Sequence, residues 1–350
     1  MKKFTKGCLI TALTLFIFGA AFYGICGFMG GFSQLRERGI MRGNGMFSIG
    51  IPGYEWGLNS QLFSFWNWSD DWDWSDDWDD RWDDWSNDAY RELHLLKDGE
   101  SGQTEYTASD ITGIDIELGG CSLVIAESED SYIRIENLTD KQKVKYGVKN
   151  GIFKLYSTAT YRFWGSVSRG TVYLYLPQDM NLNMIDIELG AGNLESIDLS
   201  ANEINLEAGA GGVIAEGLYG SEIDVMIGAG KAEVGTITAN MLSIEAGAGG
   251  IIIGNADVKE LDLEAAAGMI ELTGTVRGNI GAECSAGNIG LTLYASENDY
   301  DYEIECSVGA ITINGYEYNG LAAEKSIRNG AGKEMDLECA AGSITVEFVR

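Results

Sequence analysis

Glycines recur at a fixed step through the second half of the chain, at Gly192, Gly211, Gly230, Gly249 and Gly268, each 19 residues after the last. Gly287 keeps the step, and Gly309 and Gly342 follow after longer intervals. Each of the first five closes a version of one octapeptide. It reads Ile185-Asp-Ile-Glu-Leu-Gly-Ala-Gly192, then Ile204-Asn-Leu-Glu-Ala-Gly-Ala-Gly211, and later Leu242-Ser-Ile-Glu-Ala-Gly-Ala-Gly249. A fixed period of this size marks a solenoid, in which each repeat buries its apolar face only by stacking on its neighbours.

Within the repeat, apolar residues alternate with polar ones, as Ile185, Ile187 and Leu189 do with Asp186 and Glu188. The alternation resumes after the glycine, so Leu194, Val213, Ile251, Ile270, Ile289 and Ile344 form one column. A period of two places one set of side chains inside and the other in solvent. Nineteen residues hold two strands and leave no room for a helix. The reading is all-β: a parallel β-solenoid of about 19 residues per coil, with eight coils stacked at ~4.8 Å. The Gly-Ala-Gly step is expected to turn the corner with positive φ.

The outward position four residues before the closing glycine is Glu188, Glu207, Glu245, Glu264, Glu283, Glu305 and Glu338, with Met226 as the exception. A catalytic carboxylate pair is singular in a sequence, whereas a residue repeated coil after coil is a ladder. The column reads first as a solvated face. Its second reading is a weak divalent-cation site for Ca2+ along Glu188, Glu207, Glu245, Glu264 and Glu283, bridged between coils. Cys284, Cys306 and Cys339 share an inward column; adjacent coils bring their Cα atoms near disulfide distance, but parallel side chains seldom adopt the required dihedral, so the column reads first as buried free thiols. The two longer intervals carry Tyr294, Tyr300, Tyr302, Tyr316 and Tyr318. Insertions leave a solenoid as loops, and Tyr is enriched at contacts, so Tyr294, Tyr300, Tyr316 and Tyr318 are candidate partner-binding residues. The bland alternative is that some of these tyrosines cap coils.

The formal net charge is −29, from 24 basic and 53 acidic residues, which disfavours nucleic acid and anionic lipid as partners. The single histidine, His94, lies outside the repeats, which removes most histidine-based catalysis and zinc chemistry. No cofactor is implied and no enzymatic activity is expected.

Residues 1–6 carry three lysines, and residues 7–31 are uncharged and largely apolar. That length spans a bilayer, so 7–31 reads as an uncleaved signal anchor with 1–6 cytoplasmic and the rest extracytoplasmic in a single-pass arrangement; the rival reading is a cleaved signal peptide, whose apolar region is usually only about 7–15 residues. Residues 32–108 read as a Gly-rich linker followed by a low-complexity Trp/Asp run. Wound as a helix the run would place Trp74, Trp78, Trp82 and Trp85 on one side, and otherwise it is an acidic spacer.

The folded domain is expected over 109–350. Ile114-Asp-Ile-Glu-Leu-Gly119 repeats the hexapeptide at 185–190 letter for letter. Asn150-Gly151 between two apolar runs signals a β-hairpin. This antiparallel segment, together with a loop carrying Trp164, would cover the exposed edge of the first full coil. The strand Thr171-Val-Tyr-Leu-Tyr-Leu-Pro177 then leads into the repeats. A Leu-Pro strand before Ile-x-Ile-x-x-Gly-x-Gly repeats resembles the bacterial putative-adhesin β-strand-repeat family, over residue 111 to the C-terminus. The resemblance implies a membrane-anchored cell-surface solenoid, often associated with envelope-stress signalling, and carries over no catalytic residue. Two functions are therefore expected. One is a surface interaction protein, adhesin or scaffold, with a cell-surface or membrane protein or a glycan as partner. The other is an accessory sensor in cell-envelope stress signalling.

Overall fold

The computed structural model describes residues 104–138, 142, 144–157, 170–177, 179–319 and 323–349, with short backbone stretches at 47–51, 54–58 and 94–95. The segment read as a membrane anchor, the Trp/Asp run and Trp164 lie outside the described residues. Among the described residues no helix is long and apolar enough to cross a membrane. The chain divides into two units, 12–92 and the remainder. In the first, Phe47–Ile51 (β1) pairs antiparallel with Tyr54–Leu58 (β2). This antiparallel strand pair lies within the stretch 32–108.

The larger unit is the expected parallel solenoid, with ten coils rather than eight. One sheet face stacks Ile152–Ser157 (β9), Gly113–Leu118 (β5), Leu182–Leu189 (β11), Leu199–Ala208 (β13) and Glu222–Ile227 (β15). It continues through the C-terminal halves of Lys231–Ala246 (β16) and Gly250–Ala265 (β17) to Ile280–Cys284 (β19), Glu334–Cys339 (β25) and Asp301–Cys306 (β21). The other face stacks Thr171–Leu176 (β10), Ser122–Glu127 (β6), Leu194–Ser196 (β12), Gly212–Tyr219 (β14) and the N-terminal halves of β16 and β17. Met269–Val276 (β18), Asn288–Leu293 (β20), Ser343–Phe348 (β26) and Ala310–Ile313 (β22) complete it. A short third ladder joins the faces, with Leu199, Leu218, Ile237 and Ala256 in register and buried.

Chain order and stacking order differ at both ends. The earliest coil, β5–β6, sits inside the coil formed by β9–β10, and the last coil, β25–β26, lies between β19–β20 and β21–β22. Each end is then closed by reversed strands. Val144–Lys149 (β8) runs antiparallel to β9, and Tyr132–Glu136 (β7) antiparallel to β10. His94–Leu95 (β3) and Thr104–Thr107 (β4) add to β8 and β7, upstream of the expected start of the folded domain at 109. The hairpin at Asn150-Gly151 is present, both residues having positive φ. At the other end Tyr316–Asn319 (β23) and Ala323–Ile327 (β24) run antiparallel to β22 and β21. The second insertion is therefore an end cap and not a loop. Reversing direction ends the parallel ladder, and the exposed Glu324 and Lys325 discourage a further strand.

The corner glycines are required for a reason other than the one expected. None of Gly192, Gly211, Gly230, Gly249 or Gly268 has positive φ. Instead each packs its Cα against the carbonyl oxygen of the corner beneath. A Cβ on Gly211 would overlap the Gly192 carbonyl oxygen, and one on Gly230 the Gly211 carbonyl oxygen. The closeness lets backbone bonding run round the corner, where Ala210 N–H donates to Gly190 O at 2.8 Å and Ala229 N–H to Gly209 O at 2.7 Å. Inside, Leu206, Val225, Ile244 and Leu263 form one buried column in register.

Two variants test this packing. Gly230→Ala is expected to lower stability by about 3 kcal/mol, the upper range for forced overpacking. Ile244→Asp buries an unpaired charge and is expected to abolish cooperative folding. Thermal melts followed by circular dichroism check both, and wild-type melting of either would refute the column assignment.

Candidate functional site

The first sheet face presents the glutamate column in strict register. Glu117 pairs with Glu188, Glu188 with Glu207, Glu245 with Glu264, and Glu264 with Glu283. The next members come in spatial rather than sequence order, Glu283 beside Glu338 and Glu338 beside Glu305. Met226 interrupts the run between Glu207 and Glu245.

Two residues upstream on the same strands runs a second acidic column that the sequence reading passed over. It contains Asp186, Asp224, Asp262, Asp336 and Glu303, with Asn205, Ser243 and Gly281 between them. Its signal was available, since an outward position recurs every second residue along a strand. No Lys or Arg occupies either column from Asp186 to Glu305. Basic side chains stand at the ends. Lys154 bridges Asp115 at 2.9 Å beside the first of these coils. Arg328 bridges Glu303 at 2.7 Å and Glu334 at 3.2 Å at the far end.

Burial, with neighbouring carboxylates adding to it, leaves its mark on acidity. Burial raises the pKa of Glu245 above 4.5, with the charge of Glu207 adding to it. Glu283 is raised first by burial and then by Glu338, Glu264, Asp262 and Asp336. Asp224 is raised by burial and by Glu222 and Glu203, against a lowering hydrogen bond from Ser243. In water, two unit charges one coil apart repel by about 0.9 kcal/mol before salt screening. Among the described residues no three carboxylate, histidine or cysteine groups converge well enough to hold a metal ion. The glutamates expected to bind Ca2+ are thus neighbours along a line and form no cage.

The tyrosines divide. Tyr294 and Tyr316 are exposed, at 51% and 70%. Tyr318 is half-buried under the Lys325 ammonium, 4.5 Å from its ring centroid, and burial raises its pKa. Tyr300 is wholly buried, which corrects its assignment to a partner surface. Its hydroxyl donates to Val276 O at 2.9 Å, and burial, with Asp299 adding, pushes its pKa up to about 12. Tyr302 is also buried and donates to Glu297 O at 2.7 Å, so these two rings plug the end of the core. Beside them Asp301 accepts from the Asn329 and Ala331 backbone N–H groups at 2.7 and 3.2 Å, which holds its carboxyl below 3.8. Tyr294 directly follows β20 and Tyr316 opens β23 of the end cap, in the region where Val349 N–H donates to Leu293 O and Asn314 N–H to Val346 O.

The structure is thus a parallel β-solenoid with reversed strands at both ends and two carboxylate columns on one outward face. The chain belongs to the Toastrack DUF4097 family, which matches residues 111–347. Several solved structures are similar. A putative adhesin from Bacteroides fragilis NCTC 9343 is 13% identical, covers 72% of this chain and 98% of its own, and has a TM-score of 0.44. A putative lipid binding protein from Parabacteroides distasonis ATCC 8503 is 18% identical over 73% of this chain and 98% of its own, with a TM-score of 0.43. A putative cell adhesion protein from Clostridium sporogenes ATCC 15579 is 15% identical over 71% and 100%, with a TM-score of 0.26. No curated protein matches the chain.

The raised carboxylate pKa values fix the sign of a pH response. Native Glu245, Glu283 and Asp224 hold their protons at a pH where the unfolded chain has lost them. The native state then binds more protons, so stability rises as pH falls through the raised values toward 4.5. Asp301 works the other way, and its contribution is lost below its lowered pKa. The melting temperature is expected to climb from pH 7 to about 5 and to fall again below about 4. Glu245→Gln should raise stability at pH 7 by up to about 0.9 kcal/mol at low salt and flatten the climb. A melting temperature that falls steadily from pH 7 would refute the repulsive stacking.

Proposed function

We propose that this protein is a non-catalytic surface interaction protein. It is held by its N-terminal apolar segment outside the cytoplasm, where the acidic solenoid face meets a cell-surface or membrane protein with a basic surface. The observation that carries the reading is the pair of carboxylate columns in register on one sheet face. A rigid ladder holds those charges at fixed spacing, so a cationic partner meets a prearranged field and encounter is accelerated. The repetition of one carboxylate through successive coils supports binding over catalysis, because general acid–base chemistry needs two groups in different environments. The net charge of −29 supports a basic partner over an acidic glycan or nucleic acid.

The test uses the full chain in living cells. A reporter enzyme fused after Arg350 is expected to be active outside the cytoplasm and to sediment with membranes at uncleaved mass. Surface crosslinking of the wild type should give a discrete complex that weakens at high salt. The variant carrying Glu188→Gln, Glu207→Gln, Glu245→Gln and Glu264→Gln should fold and lose that complex. Equal crosslinking by both proteins would overturn the assignment of the face. A reporter active only in the cytoplasm would overturn the location.

A further inference from the structure

Three buried cysteines stand in one inward column near the C-terminal end of the solenoid. In sequence Cys306 lies between Cys284 and Cys339. In space the central member is Cys339, because its strand β25 is threaded between β19 and β21. Cys284 pairs in register with Cys339, and Cys339 with Cys306. Parallel strands in register hold paired residues about 4.8 Å apart, within the Cα separation of a disulfide. Cys284 and Cys306 are separated by a whole coil.

Two of the sulfurs also lie beside the neighbouring coil. A Cβ on Gly342 would lie 2.6 Å from Cys284 Sγ, and a Cβ on Gly309 would lie 2.5 Å from Cys339 Sγ. Gly342 belongs to the coil of Cys339, and Gly309 to the coil of Cys306. The Cys284 and Cys339 sulfurs therefore lie against the corner glycine of the next coil. Hydrogen bonding between the neighbouring free thiols lowers the Cys284 pKa and raises that of Cys339. Burial raises Cys306.

We propose that the three thiols form a disulfide-exchange site centred on Cys339, which bonds to Cys306 or to Cys284 while those two never bond to each other. The co-reactant is a small disulfide such as oxidised glutathione, admitted when the end coil β21–β22 opens locally. That opening exposes Cys306 and relieves the burial that raises its pKa, and its thiolate attacks one glutathione sulfur, forming a mixed disulfide and releasing one glutathione thiolate. The Cys339 thiolate then attacks the Cys306 sulfur and expels the second. Two protein thiols are oxidised, one glutathione disulfide is reduced to two thiols, and those thiols take the two protons. On closure the Cys284 thiolate attacks Cys339 Sγ, the Cys306–Cys339 bond breaks, and Cys306 leaves as thiolate. That last exchange consumes no oxidant. Either bridge staples the inserted C-terminal coil to one of its neighbours.

The experiment exposes the folded full chain to oxidised glutathione, alkylates the remaining thiols and maps disulfide-linked peptides by mass spectrometry. Bridges Cys306–Cys339 and Cys284–Cys339 are expected, with no Cys284–Cys306 bridge and Cys121 outside the set. Cys284→Ser should leave only Cys306–Cys339, and Cys306→Ser only Cys284–Cys339. The same treatment of the urea-unfolded chain supplies reference peptides for every pairing. A Cys284–Cys306 bridge in the folded wild type would overturn the proposal. So would three fully reduced cysteines under conditions that bridge the unfolded chain.

Discussion

Hydrogen bonding from coil to coil continues through the corners of this molecule, and everything else is arranged so that it can. Ala191, Ala210, Ala229, Ala248 and Ala267 each donate a backbone N–H to the corner below at 2.7–2.9 Å. Such bonds demand that the backbones nearly touch, which only a residue without a side chain allows at Gly192, Gly211 and Gly230. Fixed corners fix the register on both faces. A fixed register then stacks identical side chains on one another whether they gain by it or not.

The buried columns gain. Ile204, Ile223, Leu242 and Leu261 lie one above another with almost no exposure, so each coil completes the apolar surroundings of the next. The outward glutamates do not: burial raises the pKa of Glu245 and Glu283, and neighbouring carboxylates add to it. A chain selected for stability alone would alternate charges along this face. Keeping like charges in register is consistent with a surface shaped for something other than the solenoid itself.

Much of this was legible in the sequence, because a period of 19 and an alternation of two are both properties of neighbouring letters. The inward column through Leu206 and Ile244 and the outward glutamate column follow from those two periods. What escaped was whatever depends on partners distant along the chain. The insertion of β5 between β9 and β11, and of β25 between β19 and β21, leaves no trace in local pattern, since a coil reads the same wherever it stacks. Tyr300 looked like a loop aromatic because its acceptor, Val276 O, lies in another coil. Repetition of glycine was plain, but its cause was not. A close approach to Gly190 or Gly211 of the coil below cannot be told from a left-handed turn by sequence alone.

The threaded ends give the solenoid an asymmetry under tension. Were the outermost coils also the first and last in sequence, a pull on either terminus would peel them off one hydrogen bond at a time. Here a pull from the N-terminal side first strips the short edge strands β3 and β4, and then meets β5 gripped between β9 and β11. Drawing β25 from between β19 and β21 likewise shears two parallel ladders together. Loading ladders in shear shares the force across many bonds at once. A tether attached at one end of such a chain would therefore extend by a little and then hold.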